Sequence, residues 1–227
     1  MRWRTDDNGV RPGAEIGLGH RMAVLGSALL LAGLCSCQAL LYPIIATAPD
    51  PTKKVAAEFG RLAGHRVAIV VWADQGTLFE YPFIRFELAE YIAYHLKQKI
   101  RPIGLVSNRE IAAYQQSHYD WDSVAPARIG QQFDADLVLY VEVLEYTTRG
   151  GGTEYLLSGR GRVALAVHDV RAEPDRQRVY HGEAQVRYPE SGSLGSTEAT
   201  TAVVHRRTLD LLAQAVAKKF YDHEEPL

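Results

Sequence analysis

The chain has 227 residues, 47% hydrophobic and 23% charged, with 25 basic residues against 27 acidic ones. That composition suits one globular domain and excludes a disordered chain, a collagen and a multi-span membrane protein. A formal charge of −2 argues against nucleic acid as a partner, because neutralising phosphates takes clustered Lys and Arg.

The only two cysteines, Cys35 and Cys37, lie in one apolar stretch near the N-terminus. Their placement excludes a disulfide scaffold and a Cys-ligated metal site in the rest of the chain. No charged residue occurs from Met22 to Pro49, and Arg21 stands just before that run. A basic flank, an apolar core over Met22–Leu34 and small residues at a cysteine have the layout of a secretory signal. The segment Leu34-Cys35-Ser36-Cys37-Gln38 resembles the lipobox of bacterial lipoproteins. Aligned on Cys37, Leu34 takes the leucine place and Ser36 the small one. Aligned on Cys35, the bulky Leu34 falls where a small residue belongs. Cys37 is therefore the expected lipidated residue and Cys35 the alternative. The resemblance implies cleavage before Cys37 and anchoring by several acyl chains, which hold where one would be marginal. Gln38 in place of Asp implies the outer membrane, with the domain facing the periplasm. The uncharged run of 28 residues is also long enough to cross a bilayer, so a single-pass inner-membrane anchor is the alternative. Residues 1–20 read as an over-long leader, and translation could start near Met22.

The resulting organisation is a signal or leader over 1–36, a lipid-anchored tether over 37–51, a single α/β domain over 52–222 and a C-terminal tail over 223–227. From Cys37 onward there are 21 basic and 24 acidic residues, so the near-neutral balance survives cleavage.

In chain order, Thr52 is expected to cap a helix over Lys53–Leu62, ended by Gly64. Val67–Trp72 is a continuous β-branched apolar run, as in a buried strand. Asp74–Thr77, with Gly76, reads as a loop. Ile84, Leu88, Tyr91, Ile92, His95, Leu96 and Ile100 fall at helical spacing, which predicts a helix over Phe83–Lys99 before Pro102. A short strand over Ile103–Val106 follows. Ser107-Asn108-Arg109-Glu110 has capping-box form and starts a helix to Gln116. Asp122 or Ser123 caps another to Phe133, with Pro126 in its first turn. Asp136–Thr147 is a long strand, with Val141, Val143 and Leu144 candidates for its inward face. Gly150-Gly151-Gly152 marks a hairpin loop. Tyr155–Val170 and Arg178–Tyr188 alternate like antiparallel strands joined by Glu173-Pro174-Asp175. Ser196 or Thr197 caps a last helix to Phe220, burying Val204, Leu211, Leu212, Ala215, Val216 and Phe220.

The expected fold is α/β: a mixed sheet with βαβ crossovers in the first half, an antiparallel meander in the second, and helices packed on it in two or three layers. Over residues 52–220, the strand VAIVVWADQ, the long helix and the segment GQQFDADLVLYVEVLEY are similar to a group of bacterial envelope lipoproteins. That group includes the lipoprotein subunit of the curli secretion channel, the lipoprotein activators of peptidoglycan synthases and proteins sharing the fold of the N-terminal domain of the Tol-system β-propeller protein. The shared motif is Gly130, then Asp134-Ala135-Asp136 opening an apolar strand. What the resemblance implies is a protein-binding envelope module without catalysis, with no catalytic residues to carry over.

The residues agree with that expectation. There is no phosphate-binding glycine loop, nucleophile elbow or H-E-x-x-H pair, and no cofactor or metal is expected. His168-Asp169 points to opposite faces of a strand and suits structural roles. Asp134 and Asp136 read as solvating groups at a strand mouth, a cation site being the sharper alternative, and Asp120-Trp121-Asp122 reads as a turn. Arg160, Arg162, Arg171, Arg176, Arg178 and Arg187 read as solvated meander positions, with anionic lipid or peptidoglycan as the functional option.

The strongest candidate is the stretch after the first sheet strand, where α/β sheets place their sites. There Phe79, Tyr81 and Phe83, with Asp74, Gln75 and Glu80, form a candidate partner-binding lip. A loop packed across the sheet is the plainer reading. On the lip reading, Tyr81→Ala and Phe83→Ala abolish capture of an envelope protein partner and leave stability nearly intact. The functional expectation is a non-catalytic interaction or assembly module, possible as a homo-oligomer. The alternatives are an envelope hydrolase and a tethered binder of a small ligand or polysaccharide.

Overall fold

In the computed structural model, residues 51–149, 157–189 and 200–227 are described. Cys35, Cys37, the Gly150-Gly151-Gly152 loop and the proposed caps Ser196 and Thr197 lie outside them.

The apolar run that reads as a buried strand is β2, Arg66–Ala73. Its odd and even positions are both buried, which requires cover on both faces of the sheet. Two-residue β3 (Gly104–Leu105) and eleven-residue β4 (Leu137–Thr147) flank it in parallel. β5 (Gly159–Asp169) and β6 (Arg178–Tyr188) follow antiparallel, giving the order β3-β2-β4-β5-β6. This is the mixed sheet expected, parallel in its first half and a meander in its second.

Helices cover one face: α2 (Ile84–Lys99) and α5 (Thr201–Lys218). Ile84, Leu88, Ile92 and Leu96 of α2 and Leu209, Leu212 and Val216 of α5 meet Ile69, Val71, Leu139, Val141 and Leu165 in the main core. On the other face α3 (Asn108–Ser117) and α4 (Pro126–Gln132) bury Ile111 and Ile129 against Ala68, Val70 and Val138, with Trp121 between them. That second layer lies over β2 and β4. Fully burying one such aliphatic side chain contributes about 1.5–3 kcal/mol, so both layers are held chiefly by these contacts.

The motif Gly130, Asp134-Ala135-Asp136 has a physical basis at this layer. A Cβ on Gly130 would stand 2.5 Å from Val138 Cγ2 and 2.6 Å from Val170 Cγ2, so only glycine lets α4 approach the sheet this closely. Asp134 turns the chain with φ +50°, Ala135 is buried, and Asp136 accepts from the Arg66 N–H at 2.9 Å and from Arg171 Nη2 at 2.7 Å.

Several expectations are corrected. Residues 53–62 form no helix. Thr52–Val55 is β1, which pairs with β7 (His223–Pro226) in a separate two-stranded sheet. Phe59 and Leu62 are buried from an irregular segment. The loop expected at Asp74–Thr77 is the start of helix α1, Gln75–Glu80. The helix expected from Asp122 to Phe133 is a 3-10 turn, Trp121–Ser123, followed by α4. Ser107 precedes α3, but no side-chain cap bond forms. Leu144 is exposed at 38%, because the β4–β5 register shifts between Val143 and Glu145. α5 is capped by the Thr200 hydroxyl, which accepts from Val203 N–H at 3.3 Å. Leu211 and Ala215 are half-buried rather than central to its packing face.

Thr52–Glu225 forms one compact unit. Of the other, Met1–Pro51 with Pro226–Leu227, only the three residues Pro51, Pro226 and Leu227 are described, and the Leu227 N–H donates to the Pro51 carbonyl at 3.0 Å. No helix among the described residues is long and apolar enough to cross a membrane.

Candidate functional site

At the C-terminal end of β2 the chain must turn, and Asp74 makes the turn. Its carboxylate accepts from Gly76 N–H at 2.8 Å, Thr77 N–H at 3.1 Å and the Thr77 hydroxyl at 2.6 Å. These bonds, the Thr77 hydroxyl foremost, hold the Asp74 carboxyl below its ordinary value. Asp74 is thus committed to capping α1. Gln75 and Glu80 are exposed on that helix. Phe79 is 89% exposed and Phe83 72%, so both rings stand in water. They flank Tyr81, which turns inward.

Tyr81 stacks on the imidazole of His205, with ring centroids 5.5 Å apart and planes 4° apart. It meets Tyr146 edge-on at 4.8 Å. Its hydroxyl accepts from Thr148 N–H at 3.0 Å and shares a second bond with the Thr148 hydroxyl, also 3.0 Å. Beneath it, His205 Nε2 donates to Glu87 Oε2 at 3.0 Å. The Tyr146 hydroxyl lies 2.8 Å from His205 Nδ1 and donates to the His205 carbonyl at 3.1 Å. Burial, with Tyr81 and Glu87 nearby, pushes the Tyr146 hydroxyl well above its ordinary value, so it stays a neutral phenol. The network therefore joins α1, α2, β4 and α5 under the lip. Its groups bond and stack on one another, which ties these four elements together.

The sequence gave all three aromatics of the candidate lip one role. The structure divides them: Phe79 and Phe83 face outward, and Tyr81 is the clamp. Glu87, Tyr146, Thr148 and His205 did not emerge from the sequence. Glu87 and His205 stand 118 positions apart, and no local pattern links them. The single available signal was Glu87 in the first turn of a helix beside the lip.

The other candidates separate. His168 is half-buried on β5, and burial, then the Arg178 charge, lowers its pKa. Asp134 and Asp136 diverge, Asp136 being engaged by Arg171. No group of three or more His, Cys, Asp or Glu that could hold a metal ion occurs among the described residues. The meander arginines split between the two ends of the hairpin: Arg160 pairs in register with Arg187, and Arg178 with His168 near Arg171. A groove of about 600 Å³ lies away from the lip, between β6, α5 and β1, with both acidic and basic walls (Glu58, Glu183, Lys218 and Lys219).

No family model matches the chain, and no curated protein matches it. Several solved structures align with much of this chain at low identity. The PelC dodecamer from Paraburkholderia phytofirmans is 11% identical, with a TM-score of 0.43, covering 75% of this chain and 98% of that one. Lipoprotein GNA1162 from Neisseria meningitidis is 17% identical, with a TM-score of 0.44, covering 67% and 95%. A minor lipoprotein from Acinetobacter baumannii is 13% identical, with a TM-score of 0.29, covering 70% and 92%.

Proposed function

We propose that this chain is an exported lipoprotein of the bacterial cell envelope, anchored through Cys37, whose α/β domain is a non-catalytic protein-interaction or assembly module. Outer-membrane anchoring with the domain in the periplasm is part of this reading and rests on the lipobox sequence. The observation that carries the interaction role is the exposure of two rings, Phe79 and Phe83, on either side in sequence of the inward-turned Tyr81. Exposed aromatic rings offer the apolar area that interface anchors use. Self-association is compatible with the same reading, since among the described strands β6, of eleven residues, lies at the edge of the sheet, and open edges template pairing.

Two experiments test it. Intact mass of the wild-type and Cys37→Ala proteins reads the anchor: a processed, lipid-bearing N-terminus is expected only with Cys37 present. A photo-crosslinker placed at position 79 or 83 in cells reads the lip. A discrete protein adduct is expected there and not at an exposed control such as Arg109, and equal labelling at all sites would overturn the assignment.

A further inference from the structure

The end of the domain opposite the lip carries a corner of basic side chains that form no ion pairs among the described residues. The C-terminus of α2 supplies Lys97 and Lys99, and Arg101 follows directly, all exposed. The loop before β2 brings Arg61 and Arg66 to the same place, because Gly64 N–H donates to the Pro102 carbonyl at 2.7 Å and Gly104 N–H to the His65 carbonyl at 3.0 Å. Among the described residues none of these five side chains forms an ion pair. Of the nearby acids, Asp136 pairs with Arg171 and Glu58 with Lys219, Asp169 and Asp222 accept from the Arg171 and Ala57 N–H groups, and exposed Asp134 follows Phe133, whose carbonyl accepts from Arg66 Nε at 3.2 Å. Clustered like charges without ion-pair partners cost stability through mutual repulsion, so an anionic surface opposite them would relieve that cost.

The corner also borders the entry of the chain into the domain. Lys99 Nζ lies over the Tyr221 ring at 6.0 Å, Tyr221 leads through Asp222 into β7, and β7 pairs with β1, which begins at Thr52 and carries exposed Lys53 and Lys54. Only 14 residues, 38–51, separate that strand from Cys37. At no more than about 3.6 Å per residue, the tether keeps this end of the domain within reach of a membrane holding the anchor.

We infer that the corner formed by Arg61, Arg66, Lys97, Lys99 and Arg101 docks on anionic phospholipid headgroups, seating the domain on its membrane with the Phe79–Phe83 lip turned away. This rests on the membrane-anchored reading above and adds an orientation to it. Lys and Arg near an anionic surface act as additive charges whose attraction falls off within a Debye length.

The test uses the full chain, mixed with vesicles of phosphatidylcholine alone or with about 30% phosphatidylglycerol added to supply the anionic surface. Sedimentation with neutral vesicles reads the anchor, and backbone hydrogen exchange over 61–66 and 97–104 reads the corner. Protection of those two segments is expected on anionic vesicles only, with 74–83 unchanged, and is lost when salt rises from about 0.05 to about 0.5 M. Lys97→Gln, Lys99→Gln and Arg101→Gln each raise the anionic lipid needed for half protection by about fivefold. Lys97→Glu with Lys99→Glu has a larger effect in the same direction. Equal exchange on both vesicle types overturns the inference, whether or not the chain sediments. Protection on anionic vesicles without sedimentation on neutral ones supports the corner and removes the anchor instead.

Discussion

The hydroxyl of Tyr81 lies 3.0 Å from the backbone nitrogen of Thr148, a residue only 1% exposed. One side chain from the lip thus satisfies a buried backbone donor at the end of β4, 67 positions away in the chain. Tyr81→Phe keeps the ring stacking and removes that acceptor. It should cost about 1–3 kcal/mol, the usual penalty for stranding a buried donor, read as a lower denaturation midpoint at unchanged slope. Tyr81→Ala costs more, so it cannot serve as a stability-neutral probe of the lip.

Phe79→Ala and Phe83→Ala are the proper probes. Both rings are exposed, so each change should alter stability by no more than about 0.5 kcal/mol while weakening crosslinking to the partner. Loss of folding in either variant would show that these rings pack rather than present.

Glu87 and His205 tie α2 to α5 through one bond of 3.0 Å. A double-mutant cycle with Glu87→Gln and His205→Gln should give a coupling energy of about 1 kcal/mol. Additive single effects would mean that the stack on Tyr81, and not the bond, holds His205.

Gly130 permits the close approach of α4 to β4. Gly130→Ala places a methyl against Val138 and Val170, and overpacking of this kind costs about 1–3 kcal/mol. The thermal midpoint should fall while Gly60→Ala, whose nearest neighbour is at 3.9 Å, stays near wild type.

Glu58 links the irregular segment after β1 to the end of α5. The Lys219 bond at 2.6 Å, and then the Tyr180 hydroxyl at 2.7 Å, hold its carboxyl below the ordinary value. A carboxyl depressed in the folded state binds its proton more readily once unfolded. Its contribution is therefore complete above the unfolded pKa and is lost as pH falls through the folded one. Wild type should lose stability more steeply than Glu58→Gln as pH drops from about 5 to about 3, measured by urea unfolding at each pH.

Much of the fold was legible because its elements carry one-dimensional signals. VAIVVW can only be buried on both faces, and the α2 positions repeat at helical spacing. What misled was non-local. Lys53–Val55 has no intrinsic strand pattern, and it becomes β1 because His223–Pro226 pairs with it from the other end of the chain. Gln75-Gly76-Thr77 looks like a loop until Asp74 caps it, and a single register shift turns Leu144 outward.

By itself the sequence determined the alternation of strands and helices and the placing of aromatic residues after the first sheet strand, and it supplied a lipobox-like segment. These follow from composition and periodicity, which act over a few residues. Only the tertiary structure decided which of those aromatics faces water. Tyr81 turns inward because His205, Tyr146 and Thr148 converge beneath it from α5 and β4. It likewise gathered Arg61, Arg66, Lys97, Lys99 and Arg101 at one corner. Burial and charge clustering depend on which distant segments share a neighbourhood, and that is fixed by packing around a common core.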